Sequence, residues 1–255
     1  DFGAEATQRL VHQIRAQYVP GAHFPAGSHV YVGGAPAEGA DFLARVYGTF
    51  GWLVLAMLAL AYVVLVRAWR SLVLPLVALA LDVCTVFASY GLTVVVFRYG
   101  VGHDLLGLYH VPQIEGWVPA FMFAVLFGLS MDYQMFFVRR MREGWDGGAD
   151  NSGAIVYGLA STGRVVTTAA LVMVGALFGL VGGQVAGLQE LGVGLSFGAL
   201  LDATVVRGLL MPSVMALIGP RNWWLPASVA RLLRVEASPL TNATDEASAV
   251  LRRGV

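Results

Sequence analysis

Five long runs of apolar residues dominate the chain. They cover residues 47–66, 72–97, 117–138, 165–181 and 191–218. A transmembrane α-helix needs about 20 predominantly apolar residues, so each run reaches or approaches the length that crosses a bilayer. Hydrophobic residues make up 57% of the chain and charged residues only 13%, in agreement with this pattern. We therefore expect an α-helical, polytopic membrane protein with five transmembrane helices.

Arginine is distributed unevenly among the loops between these runs. The hairpin after the first run contains Arg67 and Arg70, and the loop after the third run contains three more arginines and ends at Arg164. The loops on the opposite side contain only Arg98. Cytoplasmic loops are enriched in Lys and Arg, so the pattern predicts a multi-pass protein with an extracytoplasmic N-terminal segment and a cytoplasmic C-terminus.

The segments that flank the membrane region, residues 47–220, have a different character. Residues 1–46 combine helical spacing over 2–18 with a short β pattern over 29–32. They predict the end of an extracytoplasmic α/β domain, whose earlier part we expect in a longer polypeptide. Residues 221–255 lose apolar periodicity toward their end and become rich in Ala, Ser, Thr and charges, so they predict a disordered cytoplasmic tail.

Ionisable residues interrupt the apolar runs. A charged side chain at the bilayer centre costs at least ~2.5 kcal/mol, so each one marks a candidate functional site. The candidates are Asp82, Asp132, Asp202 and Arg207, and Thr168 is a further polar candidate. Asp202 and Arg207 are five residues apart, about 140° around an α-helix, so we expect their partners on other helices. A structural ion pair with Arg207 is the alternative for Asp82, Asp132 and Asp202.

Asp132 differs from the others because Tyr133 follows it directly. A phenol can hydrogen-bond to a carboxylate on a neighbouring helix, and Gly128 and Ser130 just before it allow helices to approach closely. Burial favours the neutral acid, whereas a nearby positive charge favours the carboxylate. A group held between these influences can take up and release a proton, so Asp132 and Tyr133 are the candidate proton relay.

Small and aromatic residues predict how the helices pack and end. GxxxG patterns at residues 175–179 and 194–198 are typical of close helix contacts. Trp69 and the neighbouring pair Trp223 and Trp224 follow apolar runs, where tryptophan usually anchors a helix at the membrane interface.

Other chemistries fit the sequence poorly. The net charge is zero and no basic stripe with aromatics occurs, so we expect no nucleic-acid partner. The single cysteine, Cys84, and the spacing of His12, His23 and His29 match no metal motif, so we expect no metal or cofactor. The Tyr-Asp and Gly-x-Gly-Asp patterns of intramembrane aspartyl proteases do not occur at the aspartates, and all histidines lie outside the runs. We therefore expect no enzyme.

Four motifs, in this order, resemble the MMPL family of mycobacterial large membrane proteins. They are GLSMDY at 128–133, STGRVVTTAA at 161–170, LDATVVR at 201–207 and GPRNWWLP at 219–226. The family belongs to the resistance-nodulation-division superfamily. The resemblance extends over nearly the whole chain, from residue 32 to residue 226.

This resemblance implies twelve transmembrane helices in two repeats, with an extracytoplasmic porter domain inserted after the first helix of each repeat. This chain would supply the end of the second domain and helices eight to twelve. In the family, Asp-Tyr pairs on helices four and ten form the proton relay, and Asp132 with Tyr133 matches the helix-ten pair. The helix-four partner would lie in the N-terminal half, outside this sequence. Asp82 departs from the family pattern, in which an uncharged polar residue is more common there.

The implied function is export of lipids or other hydrophobic molecules across the plasma membrane, driven by the proton gradient. The expected partners are protons, the hydrophobic substrate, membrane lipids and the N-terminal half of the transporter. A homo-oligomer stays open, because relatives occur as monomers and as trimers. Two alternatives also stay open: a non-transporting lipid sensor or scaffold, like the sterol-sensing relatives, and a truncated product without activity.

Overall fold

The computed structural model describes residues 5–25, 27–236 and 238. Five helices in this part are long and apolar enough to cross a membrane. After an N-terminal helix, α1 (Glu5–Gln13), they are α2 (Ala35–Trp69), α3 (Val73–Arg98), α4 (Val118–Asp146), α5 (Asn151–Gly182) and α6 (Ala186–Trp223). Each predicted apolar run lies in one of them, apart from Leu72 and Trp117, which cap α3 and α4. The prediction of a multi-pass helical membrane protein is confirmed.

Three of these helices depart from α geometry. α3 ends in a π-helical segment, Val94–Arg98, and α5 ends in a 3-10 turn, Gly179–Gly182. α6 is π-helical over Asp202–Leu210, returns to α geometry over Met211–Ile218 and ends in a 3-10 turn, Gly219–Trp223. A π-helix bonds residue i to residue i+5 and often occurs at functional sites.

Local sequence explains where several helices begin and end. Gly34 caps α2 at a φ of 95°, a left-handed value that favours glycine, and Pro36 occupies the first turn. At the other end of α2, Ser71 begins α3 by accepting a hydrogen bond at Oγ from the backbone N–H of Leu74 at 3.2 Å. Asp150 caps α5 in the same way, accepting from the N–H of Gly153 at 2.8 Å.

The helices form one bundle in which α6 packs against α3, α4 and α5, and α2 packs against α3 and α4. Of the two GxxxG patterns, the one in α6 is at a contact: a Cβ on Gly194 would lie 2.4 Å from Met122 Cε, and one on Gly198 would lie 2.7 Å from Leu126 Cδ2. Gly175 and Gly179 in α5 have no such neighbours among the described residues. The predicted close packing is therefore confirmed for α6 only.

Large apolar side chains cover the outside of this bundle. Leu60 on α2 is 67% exposed, Phe87 on α3 is 68% exposed and Leu171 on α5 is 63% exposed. An outer surface of this kind is unfavourable in water and suits lipid chains. The burial pattern therefore agrees with a membrane location.

The N-terminal segment differs from its prediction. The predicted strand at residues 29–32 forms neither helix nor strand, and the carbonyl of Val32 accepts a hydrogen bond from Arg15 Nη2 at 3.0 Å instead of from a partner strand. Arg15 also binds Asp41 on α2, which raises the pKa of its guanidinium. Within the described ranges no strand is formed, so the α/β character is not found there. α2 begins at Ala35 and crosses the predicted domain boundary at residue 46.

The C-terminal segment is ordered further than predicted. After α6 a short helix, α7 (Ala227–Leu233), packs against the end of α2 through Ala230 and Val66. Most of the predicted disordered tail, residues 237 and 239–255, lies outside the described residues. The side chains of Trp69 and Trp223 are buried in the bundle and so are not exposed to lipid, and Trp223 stacks on Trp145 with 5.4 Å between ring centroids.

Candidate functional site

Asp132 and Tyr133 lie at the middle of α4. Asp132 is exposed, and its carboxylate makes no hydrogen bond or ion pair with another described residue. Tyr133 is half-buried, and its hydroxyl lies 3.7 Å from the sulfur of Met173 on α5. α4 therefore presents a carboxylate without a protein partner at mid-helix, which is a costly arrangement in hydrocarbon.

An open groove of about 670 Å³ runs between α4 and α5 next to this pair. Tyr133, Arg164 and Thr168 supply its polar lining, and the remaining lining residues are apolar. Arg164 lies inside α5 and not in the loop where its sequence position predicted it. Thr168 turns its hydroxyl back onto its own helix, donating to the carbonyl of Arg164 at 2.8 Å, so it offers no free donor to the groove.

Three of the other polar candidates meet in the interior of the bundle, where Ser130 links them. Asp82 on α3 is 1% exposed, and Asp202 and Arg207 on α6 are 7% and 3% exposed. The Oγ of Ser130 lies 2.5 Å from Asp82 Oδ1 and 3.1 Å from Asp202 Oδ2. Arg207 Nη2 lies 3.0 Å from the same Oγ and also donates to the backbone carbonyl of Ser130. We call these four residues the buried polar cluster.

Asp202 and Arg207 form a direct ion pair within α6. Arg207 Nε donates to Asp202 Oδ2 at 2.9 Å, and Nη2 lies 2.8 Å from the same oxygen. The expectation that two residues five apart would face different helices is wrong, because this segment is π-helical and residues i and i+5 share a face. The structural ion pair, which the sequence left as an alternative, is present for Asp202. Asp82 contacts Ser130 and not Arg207.

Arg207 also connects the buried polar cluster to the candidate pair. Its guanidinium carbon lies 5.8 Å from the centroid of the Tyr133 ring, within the range of a cation–π contact. Ser130 and Asp132 are two residues apart on α4, so the cluster and the exposed carboxylate lie on different faces of one helix. The structure thus brings Asp82, Asp202, Arg207 and Tyr133 together and leaves Asp132 on the outside.

A small cavity lies beside the buried polar cluster. Its volume is about 10 Å³, and Asp82, Thr85, Ser130 and Asp202 supply its polar lining. Asp82 Oδ2, Asp202 Oδ1 and Arg207 Nη1 are buried without a hydrogen-bond partner among the described residues. A cavity of ~10–15 Å³ with several polar groups is about the size of a single water.

Ser130 is the residue whose role the sequence did not indicate. Its position before Asp132 predicted only close approach of helices, yet its hydroxyl contacts three ionisable side chains from two other helices. The sequence signal was a small hydroxyl residue inside an apolar run, which is too common to single out. In the part of the chain that the structure describes, no group of three or more His, Cys, Asp or Glu side chains is placed to hold a metal ion.

Comparison with known proteins gives the chain a family. The sequence profile of the MMPL family matches residues 1–237. The mycolic acid-containing lipids exporter MmpL11 of Mycolicibacterium smegmatis is 34% identical over 230 residues, covering 89% of this chain and 24% of that protein. The trehalose monomycolate exporter MmpL3 of the same organism is 33% identical over 208 residues, covering 82% of this chain and 20% of that protein.

A third relative is named for a different function. The heme uptake protein MmpL11 of Mycobacterium tuberculosis is 34% identical over 206 residues, covering 81% of this chain and 21% of that protein. The chain thus spans about a fifth to a quarter of the length of these relatives. The profile match over nearly the whole chain shows that it belongs to the MMPL family of the resistance-nodulation-division superfamily.

Proposed function

We propose that this chain is the C-terminal membrane region of a transporter driven by the proton-motive force, with Asp132 and Tyr133 as one half of its proton relay. The observation on which this rests is Asp132 itself, a mid-helix carboxylate exposed on α4. In hydrocarbon such a group requires a partner or a proton. One charge moved across ~100 mV releases ~2.3 kcal/mol, which is the energy that such a relay would couple to transport.

The partner of Asp132 in this proposal is the N-terminal half of the transporter. The open groove beside Tyr133 and the exposed face of α4 would pack against that half, so the Asp-Tyr pair of its fourth helix would face Asp132. The chain would then supply helices eight to twelve of a twelve-helix bundle, preceded by the end of a porter domain. Arginines are concentrated at the C-terminal ends of α2 and α4, where Arg67, Arg70, Arg139, Arg140 and Arg142 lie. This distribution supports the proposal of a cytoplasmic C-terminus in the plasma membrane.

The proposed cargo is a lipid or another hydrophobic molecule. Two relatives carry names of lipid exporters, and one of equal identity is named for heme uptake. Similarity to these relatives therefore supports a hydrophobic cargo without choosing between lipid and heme. The competing function is a lipid sensor or scaffold that does not transport. Such a protein would need the helix bundle but would not need to bind and release a proton.

The test is transport by inverted membrane vesicles that contain the longer protein implied by the family. A pH gradient is imposed, and accumulation of labelled glycolipid and of heme is measured in parallel with empty vesicles as background. Gradient-dependent accumulation of one of them supports the transporter and identifies its cargo class. Cargo binding without gradient-dependent accumulation supports the sensor.

A further inference from the structure

We propose that Asp82 is a separate proton-binding site, distinct from Asp132 and Tyr133, which is held as a neutral carboxylic acid donating a hydrogen bond to Ser130. The proposal concerns a residue on α3 that the relay does not use. It rests on the number of hydrogens available at one oxygen atom, the hydroxyl of Ser130.

Three contacts converge on the Oγ of Ser130. They are Asp82 Oδ1 at 2.5 Å, Asp202 Oδ2 at 3.1 Å and Arg207 Nη2 at 3.0 Å. A hydroxyl has one hydrogen to donate and two lone pairs that accept, whereas a guanidinium only donates. Arg207 therefore takes one lone pair. Two carboxylate contacts remain, and the single hydroxyl hydrogen can satisfy only one of them.

A proton on one carboxylate supplies the hydrogen that the remaining contact lacks. With Asp82 protonated, its Oδ1–H donates to the second lone pair of Ser130, and Ser130 donates its own hydrogen to Asp202. Every contact then contains a hydrogen, and the 2.5 Å separation of Asp82 and Ser130 lies within the normal range of O–H···O bonds. With both carboxylates ionised, one carboxylate oxygen would face the lone pairs of the hydroxyl.

The ion pair decides which carboxylate holds the proton. Asp202 has Arg207 directly against it, 2.8 Å from Nη2 to Oδ2, and an adjacent positive charge favours the ionised form. Asp82 has no such contact. The charged groups that share the Ser130 hydroxyl with Asp82 are Asp202 and Arg207, both on α6. From the other helices the neighbours are uncharged, Ser130 on α4 and Met173 on α5.

Charge balance also calls for one proton in the cluster, and the ion pair of Asp202 with Arg207 leaves Asp82 to hold it. Two ionised carboxylates and one guanidinium leave the cluster with an excess negative charge in the membrane interior, which is strongly unfavourable. One proton on Asp82 makes the cluster neutral. The small cavity beside Asp82 and Asp202 is about the size of one water, so a proton released by Asp82 has an acceptor site next to it.

Infrared spectroscopy tests this proposal. The purified longer protein is reconstituted in lipid at neutral pH with isotope-labelled aspartate, which identifies the C=O stretch of a protonated aspartic acid. The difference spectrum between wild type and Asp82→Asn is expected to contain that band, and Asp132→Asn is expected to retain the Asp82 contribution. A difference spectrum that instead contains only the bands of an ionised carboxylate overturns the proposal.

A second variant keeps the test informative if Asp82→Asn does not fold. Ser130→Ala removes the hydrogen-bond acceptor of the protonated acid, so the Asp82 band is expected to shift in frequency and to persist. Absence of any protonated-aspartate band in folded Ser130→Ala and in wild type contradicts the assignment. Neither measurement involves transport, so failure here is distinguishable from failure of the proposed relay.

Discussion

The guanidinium of Arg207 pairs with Asp202 five residues earlier in the same helix, with 2.9 Å between Nε and Oδ2. This pairing depends on the π-helical segment Asp202–Leu210, because an α-helix would place the two side chains on different faces. The same π segment directs Arg207 toward Ser130 and the ring of Tyr133. A local change in helix type therefore assembles the buried polar cluster.

Removing Arg207 alone is expected to destabilise the bundle strongly. Arg207→Met leaves Asp202 buried without its partner, and breaking a buried ion pair in this way costs about 3–5 kcal/mol. The double variant Asp202→Leu with Arg207→Met removes both charges and is expected to recover most of the loss. Unfolding by denaturant in detergent micelles measures both. A double variant no more stable than Arg207→Met would contradict a simple ion-pair role.

Removing the hydroxyl of Ser130 is expected to cost about 1–3 kcal/mol, because Asp82 loses its hydrogen-bond partner in a buried site. The matched control is Ser161→Ala on α5, since the Ser161 hydroxyl is exposed and donates only to its own helix, to the Tyr157 carbonyl at 2.8 Å. The control is expected to change stability by less than about 0.5 kcal/mol. Thermal unfolding of the two variants side by side measures the difference, and equal effects would argue against a linking role for Ser130.

Replacement by alanine is expected to affect stability differently at two glycines on neighbouring helices. A Cβ on Gly192 of α6 would lie 2.7 Å from the backbone nitrogen of Val181, which cannot move aside easily, so Gly192→Ala is expected to cost about 1–3 kcal/mol. A Cβ on Gly175 of α5 would meet no described atom within 4 Å. Gly175→Ala is therefore expected to be neutral or stabilising by up to about 1 kcal/mol. The folding yield and the free energy of unfolding in micelles are measured for both variants. A Gly192→Ala variant as stable as the wild type would contradict the packing of α6 on α5.

The sequence predicted the membrane helices well because their signal is local. A run of apolar residues must satisfy its backbone hydrogen bonds internally, so length and composition are sufficient. The strand predicted at residues 29–32 was wrong, since a strand requires a partner that the local pattern does not contain. Ordering of residues 221–236 was missed because α7 is stabilised by packing on Val66, which is distant in sequence.

Within the site, sequence analysis identified Asp82, Asp202 and Arg207, left the ion pair of Asp202 with Arg207 as an alternative, and missed their meeting at Ser130. An ionisable side chain in an apolar run is energetically costly, and this alone identifies Asp82, Asp202 and Arg207 without knowledge of their partners. Their contacts with Ser130 depend on the packing of three helices and on a π-helical segment. A sequence pattern with 3.6 residues per turn predicts neither of these. The role of Asp132 stays a prediction, because its proposed partner lies outside this sequence.

Gradient-dependent transport by variants of Asp132 tests the central claim most directly. In membrane vesicles with an imposed pH gradient, Asp132→Asn is expected to abolish the gradient-dependent component, and Tyr133→Phe is expected to reduce it. The control is Glu143→Gln on the same helix, whose carboxylate pairs with Arg140 at 2.7 Å on the surface and is expected to be without effect. Loss of coupling in Asp132→Asn at normal membrane levels is the predicted result. Unchanged coupling would contradict it and exclude Asp132 from the relay.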